Sequence, residues 1–305
     1  MPSSAIRVTT AAAISVVFAF GLTSAAAIGP GSRLLRAAAV LRPARASVLS
    51  GGLPMIATSA SEASVRRPGT KAITSVGSLN WSGYAVSRSR VTFTAVRATF
   101  FVPYLNCAKS PGRALSSDWV GLDGFIGRAH SVEQGGIAAN CETSGKAVYF
   151  AWWETFPRAE VRVALKVTAG DSVTASVTYS AKTRNYRIAL TDNTSGAKFG
   201  VQRKCPHVRE TGKWLRCPRN SAEIISEAPA TAVGKNLAIA RLADYGAVSF
   251  GAISVTDGRG VKGGIVSAHW NAAKITQFRD TGGPVVARPT PTAARTFDTY
   301  WLREE

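Results

Sequence analysis

The chain has 305 residues, a formal net charge of +19 and a pI near 10.5. That length leaves room for two domains, and such a charge raises nucleic acid as a partner. The basic residues are scattered, though, and no run interleaves them with aromatics as a single-strand groove requires, so nucleic acid is set aside.

At the N-terminus, Arg7 precedes an uncharged apolar run from Ala11 to Leu22, and Ser24-Ala25-Ala26-Ala27 offers a small-residue cleavage site. The run is shorter than the ~20 residues a membrane span needs, so residues 1–27 are expected to be a signal peptide. No later segment looks like a span, which implies no membrane association after removal. Residues 28–76 contain Arg33, Arg36, Arg42, Arg45, Arg66 and Arg67 against the single acid Glu62, and no aromatics. So little apolar surface cannot offset the entropy of ordering. The segment is read as a basic, disordered pro-segment, with Arg66-Arg67 as a candidate processing site. Its arginines would shield an acidic cleft until acidification releases them.

Residues 77–305 form one unit. Val173, Ala175, Val177 and Tyr179 alternate with Thr174, Ser176 and Thr178, and Tyr186, Ile188 and Leu190 with Arg187, Ala189 and Thr191. A period of two marks strands with one buried face. Similar runs cover Ala95–Val102, Ala147–Thr155, Val161–Thr168, Ala247–Thr256 and Ile275–Arg279. No long helical periodicity appears, which excludes a βαβ architecture and predicts a single all-β domain, an antiparallel two-sheet sandwich. Export places the chain outside the cell, where cysteines oxidise. Cys205 and Cys217 close a short loop, which leaves Cys107 with Cys141. The four lack the C-x-x-C-type spacing of a metal site.

The three histidines stand in unlike contexts with no H-E-x-x-H spacing, and no serine lies in G-x-S-x-G, so zinc and serine hydrolases lack their parts. No D-T-G motif for a carboxylate dyad appears either. No metal or cofactor is expected, and a hydrolase built here must work with carboxyl, carboxamide and aromatic side chains. These concentrate in order: Asn80-Trp81-Ser82-Gly83, then Trp119-Val120-Gly121-Leu122-Asp123-Gly124, then Glu133-Gln134-Gly135-Gly136, then Ala151-Trp152-Trp153-Glu154-Thr155-Phe156-Pro157, then Ala222-Glu223-Ile224-Ile225-Ser226-Glu227-Ala228-Pro229. Singly, each has a bland reading: a core tryptophan, a turn, an edge acid.

Together they resemble the glutamic peptidases, or eqolisins, whose pattern runs N-W-[SG]-G, W-V-G-[IL]-D-G, a glutamine-glycine segment, A-W-x-E-x-x-P and A-E-[WF]-I-x-E. The resemblance spans about Asn80 to the later 270s. It implies a two-sheet antiparallel sandwich of lectin-like type acting on polypeptides as an acid endopeptidase insensitive to pepstatin; a monomer is the default expectation, apart from the resemblance. It also implies Gln134 and Glu227, not Glu223, as the catalytic pair, with Trp81, Trp119, Asp123, Trp152, Glu154 and Phe156 shaping the cleft. Ile224, Ser226, Phe156 and Ala138 depart from the commoner residues of that pattern, which bears on cleft tuning and on the pH optimum. A carboxylate with an ordinary pKa near 4 stays charged where a histidine is protonated, hence an acidic optimum. The competing readings are a carbohydrate-binding or glycosidase sandwich using Glu154 with Glu227, and an inactive homologue.

Overall fold

The computed structural model describes residues 54–65, 73–126, 131–210, 213–233 and 236–303. The expected signal peptide, the Arg66-Arg67 site and the pro-segment before Pro54 lie outside them. All regular structure in the described residues is β. One sheet runs, edge to edge, through strands Ala57–Val65, Ile73–Ser78, Asn271–Phe278, Trp81–Ser87, Ser221–Glu227, Ala114–Leu122, Val132–Cys141, Ala147–Phe156 and Val161–Arg162. The second runs through Val285–Pro289, Phe297–Trp301, Ala247–Asp257, Phe93–Phe101, Ser172–Ser180, Asn185–Asp192 and Lys198–Arg203. They join where Asn271–Phe278 hands over to Val285–Pro289. The antiparallel sandwich expected from the sequence is present, with one parallel ladder, Ile73–Ser78 on Asn271–Phe278.

The β structure begins earlier than the alternation indicates. Ala57–Val65 and Ile73–Ser78 pair with each other, although their Ala, Ser and Thr residues show no apolar period. Pairing to the sheet edge, rather than amphipathicity, makes them strands. The run expected over Val161–Thr168 contracts to Val161–Arg162, both exposed; among the described residues it pairs only with Ala147–Phe156.

Pleating divides the side chains of the first sheet between two apolar layers. Tyr84, Val120, Leu122, Ile137, Trp153, Ala222 and Ile224 face inward and meet Phe93, Val177, Ile188 and Phe250 from the second sheet. Trp81, Ala85, Trp119, Val132, Ala138, Trp152, Ile225 and Ile275 form a separate layer on the other face. Strands Ala114–Leu122, Val132–Cys141 and Ser221–Glu227 are consequently buried at every residue, which is why they read as segments and not as alternating strands. Each buried tryptophan removes ~150–250 Å² from water, about 4–6 kcal/mol at ~25 cal/mol per Å². The outer layer is therefore a structural wall before it is anything else. Cys107–Cys141 and Cys205–Cys217 are bonded, with Cα–Cα distances of 5.4 and 5.9 Å, in the pairing read from the sequence.

Candidate active site

The face of the second layer carries Gln134, Glu154 and Glu227, the carboxamide and carboxyl side chains singled out for chemistry apart from Asp123. Parity along the strands puts Gln134 on the face of Val132 and Ala138, Glu154 on that of Trp152, and Glu223 and Glu227 on that of Ile225. Cross-strand register sets two rows there. Glu223, Gly121, Gln134 and Glu154 stand opposite one another in sequence, and Ile225, Trp119, Gly136 and Trp152 form the next row. Glu227 lies one step further, opposite Trp81 and Ser117.

Glu227 is fully buried and held by two N–H donors. The Trp119 indole donates to Oε2 at 2.8 Å and the Asn80 amide to Oε1 at 3.1 Å. Burial pushes its pKa well above the ordinary carboxylate range, and the two donors pull it back by favouring the charged form. The charge on Glu154 raises it further, so the two carboxyls sense each other across the face. Glu154 in turn accepts from Gln134 Nε2 at 2.9 Å and is raised chiefly by burial, then by Glu160. A hydrogen-bonded path of side chains thus runs Asn80–Glu227–Trp119 on one side and Gln134–Glu154 on the other. Trp81 packs edge-on against Trp119, ring centroids 5.0 Å apart at 77°, and Phe156 packs against the same layer.

Asp123 takes a different place from the cleft-shaping one expected. Its residue has φ of 71°, and its carboxylate oxygens accept from Arg219 N and Asn220 N, both at 2.8 Å. It fixes the entry into strand Ser221–Glu227 and so sets where Glu227 falls. Burial raises its pKa to about 6 against the pull of those two backbone donors. Sequence reasoning missed what stands beside it: Glu133 and Glu223 are fully buried, and each is raised by burial and by the charge of Asp123. The A-E-x-x-x-E spacing places two acids on one face of a strand, which was the available signal for Glu223. Glu133 is on the opposite face, with Ile137, and needed register to find. Asn80-Trp81-Ser82 also fits the N-glycosylation triplet, but Asn80 is buried.

Gly136 is what lets two indoles share one row. A Cβ there would come within 2.6 and 2.7 Å of Trp119 Cβ and Cα, and closer still to the Asp118 carbonyl. Backbone cannot yield as a side-chain tip can, so Gly136→Ala is expected to cost about 1–3 kcal/mol or more. Urea unfolding in acid would measure this, and an unchanged midpoint would contradict the close approach.

Fold and site define a class: an antiparallel β-sandwich whose outer aromatic wall holds a carboxyl close to a carboxyl-bound carboxamide, with neither a histidine nor a cysteine thiol among them. The chain belongs to the Peptidase A4 family, whose sequence pattern matches residues 79–294, the eqolisin or glutamic peptidase group. Scytalido-glutamic peptidase, solved with a transition state analog inhibitor, is similar in fold, with 24% identity and a TM-score of 0.59 over 73% of this chain and 98% of that one. SCP-B, a member of the Eqolisin family solved with the tripeptide Ala-Ile-His, is similar at 22% identity and a TM-score of 0.54, with the same coverage. No match was found among curated protein sequences.

Proposed function

We propose that the protein is a secreted acid endopeptidase in which Glu227 is the general base and Gln134 the oxyanion donor. Peptide hydrolysis needs a group that takes a proton from water and a donor aimed at the developing oxyanion. The observation that carries the assignment is the Glu227 carboxyl, fixed by Trp119 and Asn80 on the face that also presents Gln134. Water attacks the scissile carbonyl as Glu227 removes its proton, and the same carboxyl returns that proton to the departing amine. Gln134 donates from its amide to the oxyanion while Glu154, bonded to Nε2, holds the amide in position. Burial disfavours the charged form of Glu227, and the Trp119 and Asn80 donors oppose it by favouring the carboxylate that acts as the base.

Supporting export are the two disulfides; among the described residues no helix is long and apolar enough to cross a membrane. On this reading residues 1–27 are a signal peptide, the following segment is removed on maturation, and the enzyme acts as a monomer. Hydrolysis of an unfolded protein from about pH 2 to about pH 7, with pepstatin present, tests the assignment. Acid-side activity that resists pepstatin and falls ~10²–10³-fold in kcat on Gln134→Ala is expected. No hydrolysis at any pH by a folded, processed protein would overturn it.

A further inference from the structure

Four cations from four separate stretches of chain line one open groove of about 620 Å³: Lys109, Arg241, Arg279 and Arg303, together with Pro111 and Trp301. That size is within the range small ligands occupy. Each stretch is fastened through its own backbone, so the charges are brought together by the fold. The loop bearing Lys109 and Pro111 is tied by the Cys107–Cys141 bond and by Asn106 N, which donates to the Asp244 carbonyl at 2.8 Å. Leu115 N donates to the Arg241 carbonyl at 2.8 Å, Arg279 N to the Pro284 carbonyl at 3.0 Å and Trp301 N to the Gly246 carbonyl at 2.9 Å. Arg241 also donates from Nη1 to the Pro111 carbonyl, which sets its guanidinium against the wall.

The chemistry of this lining is one-sided. Lysine, arginine and tryptophan side chains carry donors and no acceptor, and no carboxyl, carboxamide or hydroxyl stands among the described residues that line the groove. Trp301 Nε1 is buried without a hydrogen-bond partner, so the wall also holds an unsatisfied indole donor. Four like charges in one concavity repel one another and focus a positive field that gathers anions. The same field turns away metal ions and cationic ligands. Guanidinium forks match the oxygens of phosphate and carboxylate alike. In acid, however, a carboxylate is neutralised near about pH 4, whereas a phosphate or sulfate ester keeps a charge.

We infer that this groove binds a ligand carrying at least two phosphate or sulfate groups, held by Arg241, Arg279, Arg303 and Lys109, with Trp301 Nε1 as a further donor. The site is separate from the pair Gln134 and Glu227, and it stands whether or not the peptidase reading does. Glu304 and Glu305 follow Arg303 in the chain and lie outside the described residues, so the test includes them.

Titration calorimetry on the full-length chain in a chloride buffer, with tripolyphosphate, orthophosphate and dextran sulfate as probes, decides the matter. Tripolyphosphate should bind at least about tenfold more tightly than orthophosphate, and weaken at least about tenfold between about 0.05 M and about 0.5 M sodium chloride. Arg279→Gln with Arg303→Gln should lose at least about tenfold, since charge-assisted hydrogen bonds disappear. Lys109→Gln, an exposed change, should lose at least about threefold and guards against a misfolded double variant. Lys182→Gln with Arg184→Gln removes the same charge from the exposed turn after Ser172–Ser180 and should stay within about twofold. Equal losses in the two double variants would overturn the inference, because diffuse charge would then suffice. So would failure of wild type to bind tripolyphosphate or dextran sulfate, or binding gained only with Glu304→Gln and Glu305→Gln, the chain's own acids then being the occupant. Displacement of tripolyphosphate by dextran sulfate would support the site and identify an esterified polymer as its ligand. Binding of tripolyphosphate alone would support it with a free small polyanion.

Discussion

Glu227→Gln should lower the rate of hydrolysis by about 10²–10⁴-fold, the usual contribution of a positioned general base, while Glu223→Gln stays within about tenfold of wild type. The comparison is needed because both acids are buried on one face of strand Ser221–Glu227, four residues apart. Register alone favours Glu223, which stands in the row of Gln134. Side-chain contacts favour Glu227: it accepts from Trp119 and Asn80 and feels the charge of Glu154, the residue bound to Gln134. The other acids that Glu223 senses are Asp123 and Glu133, the latter on the face of its strand opposite to Gln134, and the side chain that pulls its pKa down is Ser221. Contacts outrank register here because a glutamate reaches several ångströms beyond its Cα. Steady-state kinetics with far-UV circular dichroism as a folding control decides it. Loss of activity in Glu223→Gln with Glu227→Gln active would move the base to Glu223.

The protein should be most stable in acid and lose stability as pH rises towards neutrality, the reverse of the usual pattern. Asp118 is raised to about 7 by burial, against the pull of the Ser226 hydroxyl, and Asp123 to about 6. Glu133, Glu154, Glu223 and Glu227 are raised well above the ordinary range, each chiefly by burial. A carboxyl whose folded pKa exceeds its unfolded value binds more protons when folded, so its contribution is complete below the unfolded pKa near 4 and declines as pH rises through the folded pKa. For Asp118 alone the move from 3.8 to about 7 costs about 4 kcal/mol by neutral pH at ~1.4 kcal/mol per unit. Typical total stability is only ~5–15 kcal/mol. Two groups oppose the trend: Asp192 and Asp257 are lowered by hydrogen bonds from Ser195 and Arg259 respectively and weaken the fold only below about pH 4. Urea midpoints by circular dichroism between about pH 3 and about pH 8 should therefore peak near the acid end. A peak at neutral pH would mean that these carboxyls are hydrated or paired in solution.

Much of this was legible because the second sheet wears its pattern openly. Ser172–Ser180 and Asn185–Asp192 alternate as a strand with one wet face must, and the cysteine spacing sufficed for both disulfides. The first sheet hides its strands, because Val132–Cys141 and Ser221–Glu227 are covered on both faces and carry no period. Only their motif residues drew attention. What could not be read was anything fixed by register between distant strands: the turn-holding role of Asp123 and the company it keeps with Glu133 and Glu223. The edge strands before Trp81 were equally invisible, since nothing in their composition distinguishes a paired serine from a solvated one.

The placement of Asn271–Phe278 has a consequence for when catalysis becomes possible. That strand lies between Ile73–Ser78 and Trp81–Ser87, so the wall bearing Asn80 and Trp81 gains its neighbour on that side only after Asn271–Phe278 has been made. Such non-local closure is slow, since loop entropy is lost before any contact compensates for it. A nascent chain shorter than about residue 278 leaves one edge of strand Trp81–Ser87 unpaired. On the peptidase reading, the site cannot be complete until those residues have paired.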